Sequence, residues 1–306
     1  ELEQLVADGT DAFAIYDALS QADILAAADR LLPLYEASHG GDGYVSLEVS
    51  PDLAYDTEGT VLEAMRLWRA IGRPNLMVKI PATAEGIPAI TQVIASGINV
   101  NATLMFSLAD YDAVAGAYID GLDQLIEAGG DPSRVASVAS FFVSRIDGVV
   151  DTLLKEKGNE QLQGKIAIAN AKLAYKRFEE VFSGPHWDAL ATEGANYQRP
   201  LWASTSTKNP TYLDVLYVDN LIGAHTVNTL PLPTIGAVLD HTVVASTVNQ
   251  GYGQAQAEID ALADLGIDFK QVTADLQTAG VKSFADAFHS LLDTISERAD
   301  ALQPAT

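Results

Sequence analysis

Residues 76–81 read LMVKIP, a short apolar run that predicts a buried strand although it contains the charged side chain of Lys79. A helical pattern ends before this run at Gly72 and Pro74, and another begins after it near Glu85. A strand with helices on both sides is typical of a parallel sheet, because parallel strands need a long crossover connection between them. The run therefore predicts an α/β fold.

The same alternation continues along the rest of the chain, and no linker or low-complexity boundary interrupts it. Helical patterns also predict the tail from Gln254 to Ala301, with helix breaks expected near Gly266 and Gly280. The other predicted helices lie in the first forty residues, after Ser107, and at residues 57–71, 85–95, 146–156 and 164–182. Right-handed βαβ units in a single domain over residues 1–306 account for this order. Six stretches predict strands, at residues 44–49, 76–80, 98–106, 135–142, 199–204 and 226–229.

Periodicity alone leaves a closed barrel and an open doubly wound sheet as alternatives. No glycine-rich dinucleotide fingerprint follows the first predicted strand, which disfavours the open sheet of nucleotide-binding proteins. Polar residues within otherwise apolar strands favour a barrel, which would present them inward or at its C-terminal mouth. These residues are Glu48, Lys79, Asn101, Thr103, Ser140, Ser204 and Asn228.

The charge balance restricts the classes of partner. The chain has 18 Lys and Arg against 41 Asp and Glu, a net charge of -23, which disfavours binding to nucleic acid and to anionic membranes. With 306 residues and 48% hydrophobic content, the chain can bury a full core. An anionic substrate must be held by a few local cations, so each Arg or Lys beside a strand end is a candidate ligand.

Several kinds of site and location are disfavoured by composition. The chain has no cysteine, which excludes disulfides, thiolate metal sites and cysteine nucleophiles, and its 5 histidines show no metal-ligand spacing. We therefore expect no metal site built from cysteine or histidine ligands. No stretch approaches the roughly 18 uninterrupted apolar residues of a membrane span, and no signal peptide is recognisable, so a cytoplasmic protein is expected.

Two ionisable residues on successive predicted strands are the strongest candidates for chemistry. Desolvation of Lys79 would favour its neutral amine, the form needed for a Schiff base, although a lysine at a strand end can also extend to water. Glu48 is either an acid/base group or half of a structural ion pair. Opposite charges on neighbouring strands favour a shared interior. Asn101 and Thr103, two residues apart, would point to the same side of the next strand.

Several ordered segments together resemble the transaldolases, and especially the longer bacterial enzymes. The run of residues 75–83, NLMVKIPAT, is similar to the Schiff-base signature of that family. The resemblance implies a (β/α)8 barrel of the TIM type, with Lys79 as the nucleophile. The segments that carry it are residues 44–50, 76–86, 97–107, 136–146 and 201–210.

The resemblance also implies roles for other residues. Glu48 and Thr103 correspond to the pair that holds a catalytic water, Asn101 and Ser140 to contacts with substrate hydroxyls, and Phe142 to the side chain that shields the site.

Three further residues resemble substrate-binding positions. Ser204 is one of them, and Arg145 corresponds to the phosphate-binding arginine, with a helix-surface salt bridge as the alternative. Lys208 stands where a second cation, often Arg, is found in the family. A lysine provides a point charge instead of a bidentate fork, so we expect it to hold a phosphate less tightly.

The activity implied by the resemblance is transfer of a dihydroxyacetone unit from sedoheptulose 7-phosphate to glyceraldehyde 3-phosphate, in the non-oxidative pentose phosphate pathway. Sugar phosphates would be the substrates, without cofactor or metal, and the protein would be a monomer or homodimer. Two alternatives remain open. An aldolase would release free dihydroxyacetone, although aldolase relatives are shorter, and a non-catalytic remnant would only bind sugar phosphates.

The start of the chain departs from the family pattern. The resemblance implies two more strand–helix units before the first helix, and the first of those strands would carry an aspartate that acts as acid/base in aldol cleavage. No segment of this sequence corresponds to them. The fold is therefore expected to be a barrel whose first two strand–helix units are missing from this chain, and the aspartate's role is assigned to no residue.

Overall fold

The computed structural model describes residues 2–302, and its centre is a parallel sheet. Within that range the sheet has six strands, and each strand pairs with the next one along the chain. This sequential order, with helical crossovers between the strands, is the wall of a (β/α) barrel, so the predicted fold class is confirmed. The strands are β1 (Val45–Glu48), β2 (Leu76–Pro81), β3 (Val100–Met105), β4 (Ser137–Phe142), β5 (Gln198–Ala203) and β6 (Val227–Asn228).

Helices connect the strands and surround the sheet. Each predicted strand is present with small differences at its ends, whereas α8, α9 and α10 were not anticipated. The prediction of two further units ahead of residue 1 stays a prediction. The helices are α1 (Leu2–Ala7), α2 (Ala12–Ala37), α3 (Thr57–Ile71), α4 (Gly86–Ala95), α5 (Leu108–Glu127), α6 (Ser144–Glu156), α7 (Ile166–Val181), α8 (Pro185–Thr192), α9 (Leu216–Asn220), α10 (Leu232–His241), α11 (Tyr252–Asp264) and α12 (Phe269–Leu302).

Local sequence signals explain where several helices begin and end. The Asp56 side chain caps α3, and Gly72 ends that helix in the left-handed conformation at φ 58°. Ser107 and Asp110 form a reciprocal capping box at the start of α5.

The tail corrects one prediction and confirms another. The break near Gly266 is present, because α11 ends at Asp264 and Gly266 has φ 71°. The break near Gly280 is wrong, since α12 continues through it as one helix. A Cβ at Gly280 would lie 3.0 Å from Cδ2 of Leu104, so this glycine allows the helix to approach β3 closely. Tertiary packing here outweighs the low helix propensity of glycine, about 1 kcal/mol.

The core lies on both sides of the sheet. Every residue of β3 and β4 is buried, because barrel strands are covered by helices outside and by other strands' side chains inside. Side chains alternate between these two sides along each strand. Six of the seven polar residues singled out above line the inner side, where the site is built: Glu48, Lys79, Asn101, Thr103, Ser140 and Ser204. The prediction for Asn228 is wrong, because it is the ladder partner of Trp202 and therefore points to the outer side, away from the face that carries Ser140 and Leu201.

Candidate active site

The register of the first three strands places three polar residues in one row. Glu48 on β1 is the ladder partner of Lys79 on β2, which is in turn the partner of Asn101 on β3. Pro81 and Thr103 are partners one layer further toward the C-terminal ends of the strands. Because ladder partners point to the same face, one inner surface carries the amine, the carboxylate, the amide and the hydroxyl.

These side chains line a cavity of about 370 Å³ at the C-terminal ends of the strands. This is the end of a (β/α) barrel that carries active sites. Seven of the nine predicted site residues line it. They are Glu48, Lys79, Asn101, Thr103, Ser140, Phe142 and Ser204, and the other lining residues are Ser46, Leu201, Ala203 and Thr229.

Lys79 and Glu48 form an ion pair inside this cavity. The lysine Nζ donates to Oε2 of Glu48 at 3.3 Å, and the two side chains are 23% and 28% exposed. Burial raises the pKa of the Glu48 carboxyl above its ordinary value, and the Lys79 charge offsets only part of this rise. A carboxyl with a raised pKa beside an amine is suited to accept and return protons.

A chain of hydrogen bonds fixes the amide of Asn101. Its Nδ2 donates to Oγ of Ser46 at 3.0 Å, and its Oδ1 accepts from Oγ of Ser140 at 2.7 Å. The chain joins β1, β3 and β4, so the three side chains are held in fixed orientations facing the cavity. Such preorganised polar groups are suited to contact substrate hydroxyls.

The hydroxyl of Thr103 is buried at the edge of the same cavity. Within residues 2–302 its Oγ1 has no hydrogen-bond partner. A buried polar atom usually has a partner, and a water molecule or a ligand atom in the cavity could fill this role. The geometry is therefore consistent with the predicted part of Thr103 in holding a water.

Helix α12 closes one side of the site, which the sequence did not predict. Nε2 of Gln277 donates to two backbone oxygens. One belongs to Ala82, directly after β2, at 3.0 Å, and the other belongs to Leu104, within β3, at 3.2 Å. The ring centroid of Phe284 lies 5.2 Å from Nζ of Lys79. No local signal could identify these residues, because they lie about two hundred positions from their partners in sequence.

Two residues with positive φ lie beside the site. Leu104 has φ 62° where the β3–β4 register shifts, and Ser204 has φ 57° directly after β5. Positive φ is costly for residues other than glycine, typically by 1–3 kcal/mol, and is often found at functional sites. The hydroxyl of Ser204 lies 2.9 Å from that of Ser144, which ties the end of β5 to the start of α6.

The two predicted phosphate ligands lie outside the cavity lining. Arg145 is half-buried in the first turn of α6, with its guanidinium carbon 5.1 Å from the ring centroid of Phe142. In the part of the chain that the structure describes, Arg145 forms no salt bridge. The alternative interpretation, in which it belongs to an ion pair on the helix surface, is therefore not supported. Lys208 is exposed after β5, and its Nζ donates to Oγ of Ser206 at 3.0 Å.

Two further observations on residues 2–302 concern metal binding and membrane-spanning helices. No group of His, Asp and Glu side chains in this range is arranged to hold a metal ion. None of the helices described there combines the length and apolarity needed to cross a membrane.

The comparisons with known proteins agree with the geometry. The family model described as Transaldolase/Fructose-6-phosphate aldolase matches residues 1–295. The chain belongs to this family. The predicted family and the predicted class of enzyme, a transferase of the transaldolase family, are therefore confirmed.

Individual relatives are similar over nearly the whole chain. A transaldolase of Acidothermus cellulolyticus is 50% identical over 299 residues, which are 97% of this chain and 80% of that protein. A transaldolase of Parafrankia sp. is 51% identical over 302 residues, or 97% of this chain and 82% of the relative. One of Thermobifida fusca is 49% identical over 302 residues, with the same shares of both chains.

Proposed function

We propose that this chain is a Schiff-base transaldolase in which Lys79 forms the covalent intermediate. The observation that carries the proposal is the position of the Lys79 amine, which lies in a polar cavity at the C-terminal strand ends and is paired with Glu48 at 3.3 Å. A lysine amine in such a cavity can add to the carbonyl of a bound ketose, and the adjacent Glu48 can take up a proton during the reaction.

The first half of the reaction would be cleavage of a ketose phosphate such as sedoheptulose 7-phosphate. Lys79 adds to the ketone, water leaves, and the protonated imine withdraws electrons from the adjacent carbon–carbon bond. The hydroxyl on the departing carbon loses its proton as that bond breaks, an aldose phosphate departs with this oxygen as its aldehyde, and a three-carbon dihydroxyacetone unit remains on the lysine as an enamine. The acceptor of this proton is assigned to no residue of the chain. The second half adds this enamine to the aldehyde of glyceraldehyde 3-phosphate, after which hydrolysis frees Lys79.

The neighbouring residues would move protons and orient the substrate. Glu48 accepts the proton that Lys79 loses and, with the hydroxyl of Thr103, holds the water that carries protons to and from the imine. Asn101, Ser140 and Ser204 would bind substrate hydroxyls. The aromatic ring of Phe142 would limit access of bulk water, so that the enamine reacts with an aldehyde and not with a proton.

Phosphate binding would use the two cations beside the cavity. Arg145 can bind two phosphate oxygens, and Lys208 adds a second charge. These local cations would act against a net charge of -23. We place the activity in the non-oxidative pentose phosphate pathway of the cytoplasm, in a monomer or homodimer, with no metal or cofactor in the reaction and no nucleic acid as partner.

Trapping of the imine tests the proposal. Borohydride with fructose 6-phosphate should reduce the intermediate to a stable adduct, and peptide mapping should place it on Lys79. The control is Lys79→Arg, which keeps the charge and removes the nucleophilic amine. An adduct on another lysine would overturn the assignment.

A coupled assay separates the three candidate activities. Transfer to glyceraldehyde 3-phosphate supports a transaldolase, whereas release of free dihydroxyacetone would indicate an aldolase. Ketose phosphate binding without turnover would indicate a non-catalytic protein.

A further inference from the structure

Two carboxylates on one face of α6 hold the start of α7. Asp147 and Asp151 are one helical turn apart, so their side chains are neighbours. Oδ1 of Asp147 accepts from the backbone N–H of Ala167 at 2.8 Å, and Oδ1 of Asp151 accepts from the N–H of Gly164 at 3.0 Å. Each carboxylate therefore has a second oxygen that can accept from another element.

The second oxygens accept from two tyrosine hydroxyls. Tyr217 donates to Oδ2 of Asp147 at 2.9 Å, and Tyr212 donates to Oδ2 of Asp151 at 2.6 Å. Tyr217 is buried in α9, so its bond joins two helices. Tyr212 lies in residues 204–215, which we call the β5–α9 loop because they connect these elements without regular structure. Its bond fixes a loop instead of a helix.

The position of Tyr212 depends on Gly164. This glycine has φ 70°, and a Cβ built on it would lie 2.9 Å from Cζ of the tyrosine. The aromatic ring therefore packs directly on the backbone of Gly164, at a distance that no other residue type would allow. Packing and hydrogen bond together make a specific contact between the loop and the α6–α7 corner.

The other end of the same loop is also attached to α6. The backbone oxygen of Ser204 accepts from the N–H of Ser144 at 2.9 Å, and their hydroxyls are in contact at 2.9 Å. Arg145 follows Ser144 in the first turn of α6, and Lys208 lies in the loop between Ser204 and Tyr212. The loop that carries Lys208 is thus attached to α6, the helix that carries Arg145, at two points. One attachment precedes Lys208, at Ser204, and the other follows it, at Tyr212.

We infer that Tyr212 is a positioning residue for recognition of the substrate phosphate. By fixing the β5–α9 loop on α6 through Asp151, it sets the place of Lys208 relative to Arg145, so that both charges meet one phosphate monoester. A lysine is a flexible point charge, and its contribution depends on where the backbone holds it. The inference rests on the phosphate roles in the proposed function and adds a residue that touches neither substrate nor Lys79.

The test is the affinity for sn-glycerol 3-phosphate, which has a phosphate monoester but no carbonyl and cannot form an imine. In Tyr212→Phe, which lacks only the hydroxyl, we expect the Kd measured by calorimetry to rise about tenfold. Trypsin should also cleave after Lys208 faster than in the unchanged protein. In the transfer assay, KM for glyceraldehyde 3-phosphate should rise by a similar factor, while KM for unphosphorylated glyceraldehyde changes less than about twofold.

Tyr217→Phe is the matched control, because it also removes only a tyrosine hydroxyl that donates to an aspartate of α6. That hydroxyl joins α6 to α9 and does not hold the β5–α9 loop. We expect it to lower Tm and to leave the Kd of glycerol 3-phosphate unchanged. A lower Tm with an unchanged Kd in Tyr212→Phe would overturn the inference, and so would failure of the unchanged protein to bind glycerol 3-phosphate. Binding without any transfer activity would refute the proposed function instead, while the effect of Tyr212 on Kd would still support the positioning role.

Discussion

Glu48 and Lys79 are partners across the β1–β2 ladder, and Nζ of the lysine lies 3.3 Å from a carboxylate oxygen of the glutamate. Side chains alternate along a strand, so a shift of this register by one residue would turn one of the two groups to the outer face. The ladder therefore decides that a proton acceptor stands beside the amine. The same register extends to Asn101 and makes the row of polar groups that lines the cavity.

Replacement of Glu48 by Gln should remove the proton acceptor and keep the side-chain volume. We expect kcat to fall at least about a hundredfold, the usual scale for loss of a general acid/base group. Because burial raises the pKa of Glu48, activity of the unchanged protein should decline with acid at a pH above the ordinary glutamate range. A pH–rate profile of both proteins checks this. An acidic limb that persists unchanged in Glu48→Gln would assign it to another group.

Thr103→Val replaces a buried hydroxyl by a methyl group of similar size. The hydroxyl oxygen has no partner within residues 2–302, so its loss should change Tm little. Activity should fall about tenfold, because the proposed water loses one hydrogen bond. Thermal unfolding and transfer assays on the same preparation separate these effects. Full activity with a strongly lowered Tm would make Thr103 a structural residue.

Arg145→Ala should separate phosphorylated from unphosphorylated substrates. Hydrogen bonds to charged groups contribute about 1.5–3 kcal/mol, so kcat/KM with glyceraldehyde 3-phosphate should fall about ten- to a hundredfold. Binding of dihydroxyacetone, which has no phosphate, should change far less. Lys208→Ala is the comparison variant, with a smaller expected loss because it removes a single exposed point charge. Equal losses for both kinds of substrate would show that Arg145 has a structural role.

Gly280→Ala should change the free energy of unfolding differently from the same substitution at another helical glycine. At Gly148 in α6, no heavy atom lies within 4 Å of an added Cβ, so Gly148→Ala should raise the free energy of unfolding by about 0.5–1 kcal/mol. At Gly280 the new methyl group would meet Cδ2 of Leu104 at 3.0 Å, so the gain in helix propensity should be lost or reversed. Denaturant unfolding of the two variants measures this. An equal gain at both positions would contradict the close approach of α12 to β3.

The buried carboxyl of Asp147 should make stability depend on pH. Burial raises its pKa from 3.8 to about 7, despite hydrogen bonds from Ala167 and Tyr217 that lower it. Between these values the folded protein holds a proton that the unfolded chain has released. This contribution to the free energy of unfolding is therefore present at low pH and is lost as pH rises to about 7.

Asp147→Asn resembles the protonated carboxyl and should remove this dependence. Relative to the unchanged protein, its free energy of unfolding should increase between about pH 4 and about pH 7, by at most about 4 kcal/mol. Urea unfolding at several pH values gives the difference. A difference that stays constant across this range would mean that Asp147 is ionised throughout.

The sequence by itself determined the strands and the family. Apolar runs bounded by glycine, proline and helical patterns predicted all six strands between residues 2 and 302, because these signals are local. The run around Lys79 identified the family, which the comparisons confirmed. Strand register then follows from the alternation of inner and outer side chains, so the association of Glu48, Lys79 and Asn101 could be predicted as well.

Only the tertiary structure decided what surrounds that row. Gln277 and Phe284 reach the site from a helix about two hundred residues away, and Gly280, read locally as a break, is the point where that helix meets β3. The contact of Tyr212 with Asp151 spans 61 positions. Local propensity reflects the energies of a few neighbouring residues, whereas these contacts depend on how separately formed helices pack together. That packing is fixed by burial and shape over the whole chain, and no short stretch of sequence encodes it.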